Sequence, residues 1–177
     1  MIHPWHDISN LNQPEGIVTG LIEIPRGSKV KYELDKETGL IKLDRVLFSS
    51  VMYPANYGFI PQTLDGDGDP LDILVICSEK IQSMCLVDAR IIGVMYMLDQ
   101  GEPDRKIIAV ANNDVSMGHI HDIEQLPPHT MHEMKRFFLD YKTLENKKVE
   151  IDEFGNRAQA LEVLAFCQDN YNKNYAK

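Results

Sequence analysis

Four carboxylates fall within the eight residues Asp65-Gly66-Asp67-Gly68-Asp69-Pro70-Leu71-Asp72, and the run leads directly into Ile73-Leu74-Val75-Ile76. No other segment limits the fold as much. Like charges this close repel one another, so such a loop is costly unless cations neutralise it. Two glycines and a proline bend the chain there. The apolar residues that follow read as a buried strand over Leu71 to Cys77. The acids must therefore sit where a strand enters the core. Oxygen ligands alone suit hard cations such as Mg²⁺, Mn²⁺ or Ca²⁺. An EF-hand does not fit. Counting from Asp65, position six is Pro70 where glycine is needed, and position twelve is Ile76 where glutamate is needed.

Around this loop the first two-thirds of the chain read as short strands. Ile17 to Ile24 is apolar and is stopped by Pro25. Lys29 to Asp35 alternates, with Val30, Tyr32 and Leu34 on one face and Lys31, Glu33 and Asp35 on the other. Gly39 turns the chain, and Ile41 to Phe48 follows as an antiparallel partner. Leu86 to Met97 and Ile107 to Ala111 complete the strands, while Tyr53 to Gly58 reads as an ordered loop. The last third is helical. Met131, Met134, Phe138, Tyr141 and Leu144 form an apolar stripe after Pro127-Pro128, and a second helix runs from Arg157 to about Tyr171 with Asn156 as its N-cap. Short strands followed by two main helices predict an α+β fold, mainly β, built on a small twisted barrel. At 177 residues one domain over 1–177 is expected.

The formal net charge of -9 argues against nucleic acid, whose phosphates require a basic face. The three cysteines, Cys77, Cys85 and Cys167, have no metal-ligand spacing and read as packed thiols in a reducing compartment. No apolar stretch reaches the ~18 residues of a membrane span, and the N-terminal residues lack a signal-peptide pattern, so a cytoplasmic protein is expected.

A second acidic cluster, Asp99-Gln100-Gly101-Glu102-Pro103-Asp104, lies at the far end of the long strand. If both turns share one rim of the barrel, Asp67, Asp72, Asp99 and Asp104 converge. Glu23 interrupts the apolar Leu21-Ile22-Glu23-Ile24 and reads as a further candidate or as an edge charge. Lys31, Arg45 and Lys106 supply cations, and Tyr53, Tyr57 and Tyr141, with Lys142 beside the last, supply phenols. His119, His121, His129 and His132 read as surface or core residues, not a zinc site. No Ser–His or Cys–His nucleophile pair is evident. This inventory suits phosphoryl transfer to water, which needs charge neutralisation and positioning more than covalent catalysis. Two other classes stand beside it: a non-catalytic cation- or phosphate-binding module, and a single-strand nucleic-acid binder on the same barrel, which the net charge disfavours.

In order and spacing the residues Glu23-Ile24-Pro25, Lys31-Tyr32-Glu33, Asp44-Arg45, Tyr53-Pro54, Asn56-Tyr57-Gly58, Asp67-Gly68-Asp69-Pro70-Leu71-Asp72-Ile73, Asp99, Asp104, Lys106, Phe137-Phe138 and Tyr141-Lys142 resemble the soluble family I inorganic pyrophosphatases. The short length resembles the prokaryotic branch. The resemblance implies a five-stranded, OB-like closed barrel with flanking helices. It also implies a homohexamer and Mg²⁺-dependent hydrolysis of diphosphate to two orthophosphates. Several Mg²⁺ ions are implied per site, with Mn²⁺ a substitute and Ca²⁺ an inhibitor. Asp67, Asp72, Asp99 and Asp104 are implied as metal ligands, with Glu23 a further one. Asp69 is implied as general base for the attacking water. Lys31, Arg45, Tyr57, Lys106, Tyr141 and Lys142 are implied to bind phosphate, the first three counted with the catalytic groups, and Tyr53 to hydrogen-bond behind them. Gln100 departs from the acid that many relatives carry.

Overall fold

The computed structural model describes residues 2–10 and 14–175. Its strands are β1 (Ile17–Ile24), β2 (Val30–Leu34), β3 (Ile41–Val46), β4 (Asn56–Phe59), β5 (Asp72–Ile76), β6 (Cys85–Asp99), β7 (Glu102–Ala111) and β8 (Val149–Asn156). Helix α1 covers Pro128–Asp140 and α2 covers Arg157–Tyr175. The strands pair in the order β1-β4-β5-β7-β6, and β6 pairs back onto β1, so five strands close a ring. β8 adds to the outside of β6, and β2 and β3 form a separate hairpin. The expected α+β architecture with a closed five-stranded ring is what the chain adopts.

The 15-residue β6 makes closure possible. Its first half pairs with β1 and its second half with β8, while β7 runs along most of its length. The register slips between Ile91 and Gly93. A slip of this kind bends a strand and increases its twist. Only glycine fits at the bend, because a Cβ on Gly93 would lie 2.7 Å from the Gly155 carbonyl oxygen. The β6–β7 hairpin closes through Gln100 and Gly101, with φ of 52° and 88°. Left-handed backbone at both central residues suits the two-residue hairpin turns that match strand twist.

Each face of the ring has its own helix. Met134, Phe137, Phe138 and Tyr141, spaced as one helical face, pack with Ile24, Tyr57, Leu74, Met95 and Ile108. Ala160, Val163, Leu164 and Cys167 of α2 pack with Ile22, Ile73, Val75, Ile91 and Ile107. The start of α2 is fixed as the sequence predicts. Asn156 Oδ1 accepts from the Gln159 N–H at 3.1 Å, and Gln159 Oε1 accepts from the Asn156 N–H at 2.9 Å.

Three expectations are corrected. Tyr53 to Gly58 is not all loop, since its second half begins β4, a member of the ring. β8 has no counterpart in the sequence reading; it is an edge strand with exposed Glu150, Asp152 and Glu153. Leu144 lies beyond the end of α1 and is exposed, and Phe137 takes the buried place in the stripe.

Candidate active site

A cavity of about 340 Å³ opens at one rim of the ring. The parallel pairing of β5 with β7 sets Asp72 directly beside Lys106. Asp104 stands two residues before Lys106, on the same face of β7. The β6–β7 hairpin brings Asp99 to the same rim, and the loop before β5 adds Asp67 and Asp69. The two acidic turns therefore do converge. They meet Glu23, Lys31, Tyr53, Tyr57, Lys106, Tyr141 and Lys142 around the one cavity.

Glu23 is not an edge charge. The β1–β4 register shifts between Ile22 and Ile24, so Glu23 occupies the irregular position between two core residues. It is 7 % exposed and accepts the Leu34 N–H at 2.7 Å. Burial first, and the charge of Asp72 second, push its carboxyl up to about 8.

Lys106 is the buried centre of the site, at 1 % exposure. Its Nζ donates to Asp72 Oδ2 at 2.6 Å, to Asp104 Oδ1 at 2.7 Å and to the Tyr57 hydroxyl at 3.1 Å. Burial alone would lower its pKa, but Asp104 and Asp72 outweigh it and push the pKa well up. The Tyr57 hydroxyl donates to Asp72 Oδ2 at 2.5 Å. Burial, with Asp72 and Asp104 adding to it, holds this phenol protonated. Asp72 is itself pushed up by burial and by Asp104, against the pull of Lys106. Tyr141 caps α1, with its ring against Phe137 and Phe138, and burial pushes its hydroxyl up. Tyr53 lies behind Tyr57, with ring centroids 5.4 Å apart.

The remaining ammonium groups hold acids too. Lys142 pairs with Asp99, Lys36 with Asp69, and Lys31 with Glu33 and, at 3.2 Å, Asp44. Among the described residues no three acidic, histidine or cysteine side chains stand close enough to grip one ion in this arrangement. The interposed lysines account for that. The donor set nevertheless fits a hard cation. It is all oxygen, and Asp99 Oδ1 is buried without a hydrogen-bond partner.

One sequence candidate lies elsewhere. Arg45 stands opposite Lys31 in the β2–β3 hairpin but does not line the cavity. Glu145 at 2.8 Å and Asp44 at 2.5 Å hold it, and its Nη2 is buried without a partner. Asp65, the first acid of the loop, turns away to pair with Arg105. Conversely, Trp5 and Lys36 line the cavity and were not singled out by the sequence. Lys36 sits in a turn, where strand periodicity carries no information, and Trp5 lies far from the rest in the chain. Arg136 pairs with Asp140 one turn along α1, at 2.7 Å. His119, His121 and His129 are exposed and outside the site.

A family model described as inorganic pyrophosphatase matches residues 20–172. The chain belongs to the inorganic pyrophosphatase family. It is 53% identical over 169 residues to a soluble inorganic pyrophosphatase of Oryza sativa subsp. indica, covering 96% of this chain and 79% of the relative. It is 53% identical over 173 residues to soluble inorganic pyrophosphatase 2 of Chlamydomonas reinhardtii, covering 98% and 90%. The crystal structure of the inorganic pyrophosphatase from Thermus thermophilus superposes with a TM-score of 0.90 at 39% identity, covering 93% of this chain and 97% of that one. The expected family is thus borne out, and with it the class of inorganic diphosphatase, a phosphoanhydride hydrolase.

Proposed function

We propose that the chain hydrolyses inorganic diphosphate to two orthophosphates with Mg²⁺ held by Asp67, Asp72, Asp99 and Asp104, and with Glu23 behind them. The observation that carries this reading is the charge of the cavity. Seven carboxylates and four ammonium groups line it. A cavity with surplus negative charge repels a polyanion, so a diphosphate needs divalent cations to enter. When bound, Mg²⁺ would neutralise substrate charge and lower the pKa of the attacking water.

The protein's own groups supply the rest. Asp69 stands half-exposed at the cavity mouth, free of the buried network around Lys106, and can take the proton of the attacking water. With cations on the acids, Lys31, Lys106 and Lys142 would turn their ammonium groups on phosphoryl oxygens, and the Tyr57 and Tyr141 hydroxyls would donate to the same anion. Tyr53 braces Tyr57 from behind. Arg45, outside the cavity, would have to release Glu145 and Asp44 to bring its guanidinium to the developing negative charge on the leaving phosphate.

A cytoplasmic location is part of the same proposal. Cys77, Cys85 and Cys167 are unpaired, Cys85 being exposed, which suits a reducing cytoplasm. No described helix is long and apolar enough to cross a membrane. The single domain over 1–177 rests on chain length, and the homohexamer on family resemblance.

A colorimetric phosphate assay with diphosphate and Mg²⁺ tests the reading. The protein should release orthophosphate, and Asp69→Asn should lose turnover by roughly a hundredfold or more. No release by the unaltered protein would leave only a cation- or phosphate-binding module. Near-normal release by Asp69→Asn would remove Asp69 as the base.

A further inference from the structure

We propose that Asp65 and Arg105, which do not face the cavity, form a strut that fixes Asp67 relative to Asp104 and so sets how tightly the site holds its cations. The inference rests on the cation reading above and assigns a positioning role to two residues outside the ligand set.

Arg105 lies between Asp104 and Lys106 on β7, and strand alternation turns its side chain to the opposite face. There its guanidinium packs over the Phe166 ring of α2, 4.8 Å from the centroid. Its Nε donates to Asp65 Oδ1 at 3.1 Å and to Oδ2 at 3.4 Å, and its Nη2 also donates to Oδ1. The Arg105 backbone N–H donates to Oδ2 at 3.3 Å. The Asp65 side chain is 4% exposed, so this is a buried acid, held by Arg105 together with the Gly66 N–H and the Cys167 thiol.

Asp65 also shapes its own loop. Its N–H donates to the Asp69 carbonyl at 2.8 Å, and its carbonyl accepts from Gly68 at 3.2 Å. Its carboxylate accepts from the Gly66 N–H at 2.7 Å. One residue is thus bonded both to the strand that carries Asp104 and to the loop that carries Asp67. Helix α2 holds the base of that loop, where the Leu64 N–H donates to the Cys167 carbonyl at 2.9 Å.

The physical reason for such a strut is repulsion. Asp67 and Asp104 line the same cavity, and like charges push their two segments apart. An arginine fork on a carboxylate fixes distance and orientation together, which an apolar contact does not. Neither half of the pair was required by the chemistry of the cavity, and the sequence offers Asp65 only as one more acid in a crowded loop.

The test is Mn²⁺ binding to the whole chain without substrate, followed by electron paramagnetic resonance of the free ion. Partners behind metal ligands typically change affinity by about 10–100-fold. Asp65→Asn and Arg105→Met should each weaken Mn²⁺ binding about tenfold or more. Arg105→Lys keeps the charge and loses the fork; it should fold and fall between. The double variant Asp65→Leu/Arg105→Met replaces the pair by apolar side chains, which commonly restores stability. It should regain its melting temperature and still bind Mn²⁺ weakly. Recovery of affinity along with stability in the double variant would overturn the strut, as would unchanged affinity in Arg105→Lys and in the folded single variants. Failure of the unaltered protein to bind Mn²⁺ would instead overturn the cation reading, before any variant is compared.

Discussion

Glu23 makes the metal-free protein lose stability with rising pH, and Glu23→Gln should abolish its share of that loss. The side chain is 7% exposed, and its carboxyl is raised from an ordinary 4.5 to about 8. Between those two pH values the unfolded chain has released this proton while the folded chain keeps it. The folded state then binds more protons than the unfolded, so stability falls as pH rises through the window. Below pH 4.5 both states are protonated and the penalty vanishes. At ~1.4 kcal/mol per pKa step, the full loss is on the order of 5 kcal/mol. That is a large share of the ~5–15 kcal/mol that holds a typical domain together. Glutamine keeps an oxygen for the Leu34 N–H and cannot ionise, so the variant should be the more stable protein at pH 8 by several kcal/mol. Urea unfolding in a chelator at pH 5, 6, 7 and 8 measures the difference. Asp72 titrates in the same direction, so the informative quantity is the gap between the two proteins, which should widen steadily with pH. A gap that stays constant from pH 5 to 8 would refute the reasoning.

Three further outcomes are expected. Tyr57→Phe removes the hydroxyl that links Lys106 to Asp72; it should cost ~1–3 kcal/mol of stability and weaken substrate binding, and unchanged kinetic constants would take Tyr57 out of the site. Asn156→Ala removes the cap of α2; urea unfolding should show a loss of about 1 kcal/mol with turnover unaltered. Ca²⁺ should inhibit the Mg²⁺-supported reaction, because its larger and looser coordination misplaces the attacking groups; strong activity with Ca²⁺ as sole metal would contradict this.

The parts of the fold that were legible in the sequence are those where one face is buried and the other is wet. Val30, Tyr32 and Leu34 announce β2, and Met134, Phe138 and Tyr141 announce α1, because burial imposes a period on them. β4 was missed because it spans only four residues, Asn56 to Phe59, two of which, Asn56 and Gly58, disfavour strands. β8 was missed because it lies at an edge, where its acids meet solvent. For the site, residue types and resemblance together named most of the cavity acids and Lys31, Lys106 and Lys142, but not Lys36 or Glu33. The parallel register of Asp72 with Lys106 was not legible, since nothing local encodes which strand lies alongside. The same gap explains Asp65. Within the sequence it is only one more acid of the loop, and only tertiary pairing shows that Arg105 claims it.

The lysines of the cavity have two potential partners, and their present engagement bears on how substrate and cations depend on each other. Asp72 and Asp104 hold Lys106, Asp99 holds Lys142 and Asp69 holds Lys36. An ammonium group already paired with a carboxylate attracts a phosphate weakly, because the pair is nearly neutral at a distance. Carboxylates engaged by divalent cations would no longer hold these lysines, which could then turn their charge on the substrate. On the proposed reading, cations therefore do more than offset the surplus of acids. They free the protein's own phosphate-binding groups. Affinity for diphosphate should rise with cation occupancy more steeply than simple charge neutralisation requires. The buried Lys106, shared between two acids and a phenol, is where that exchange of partners matters most.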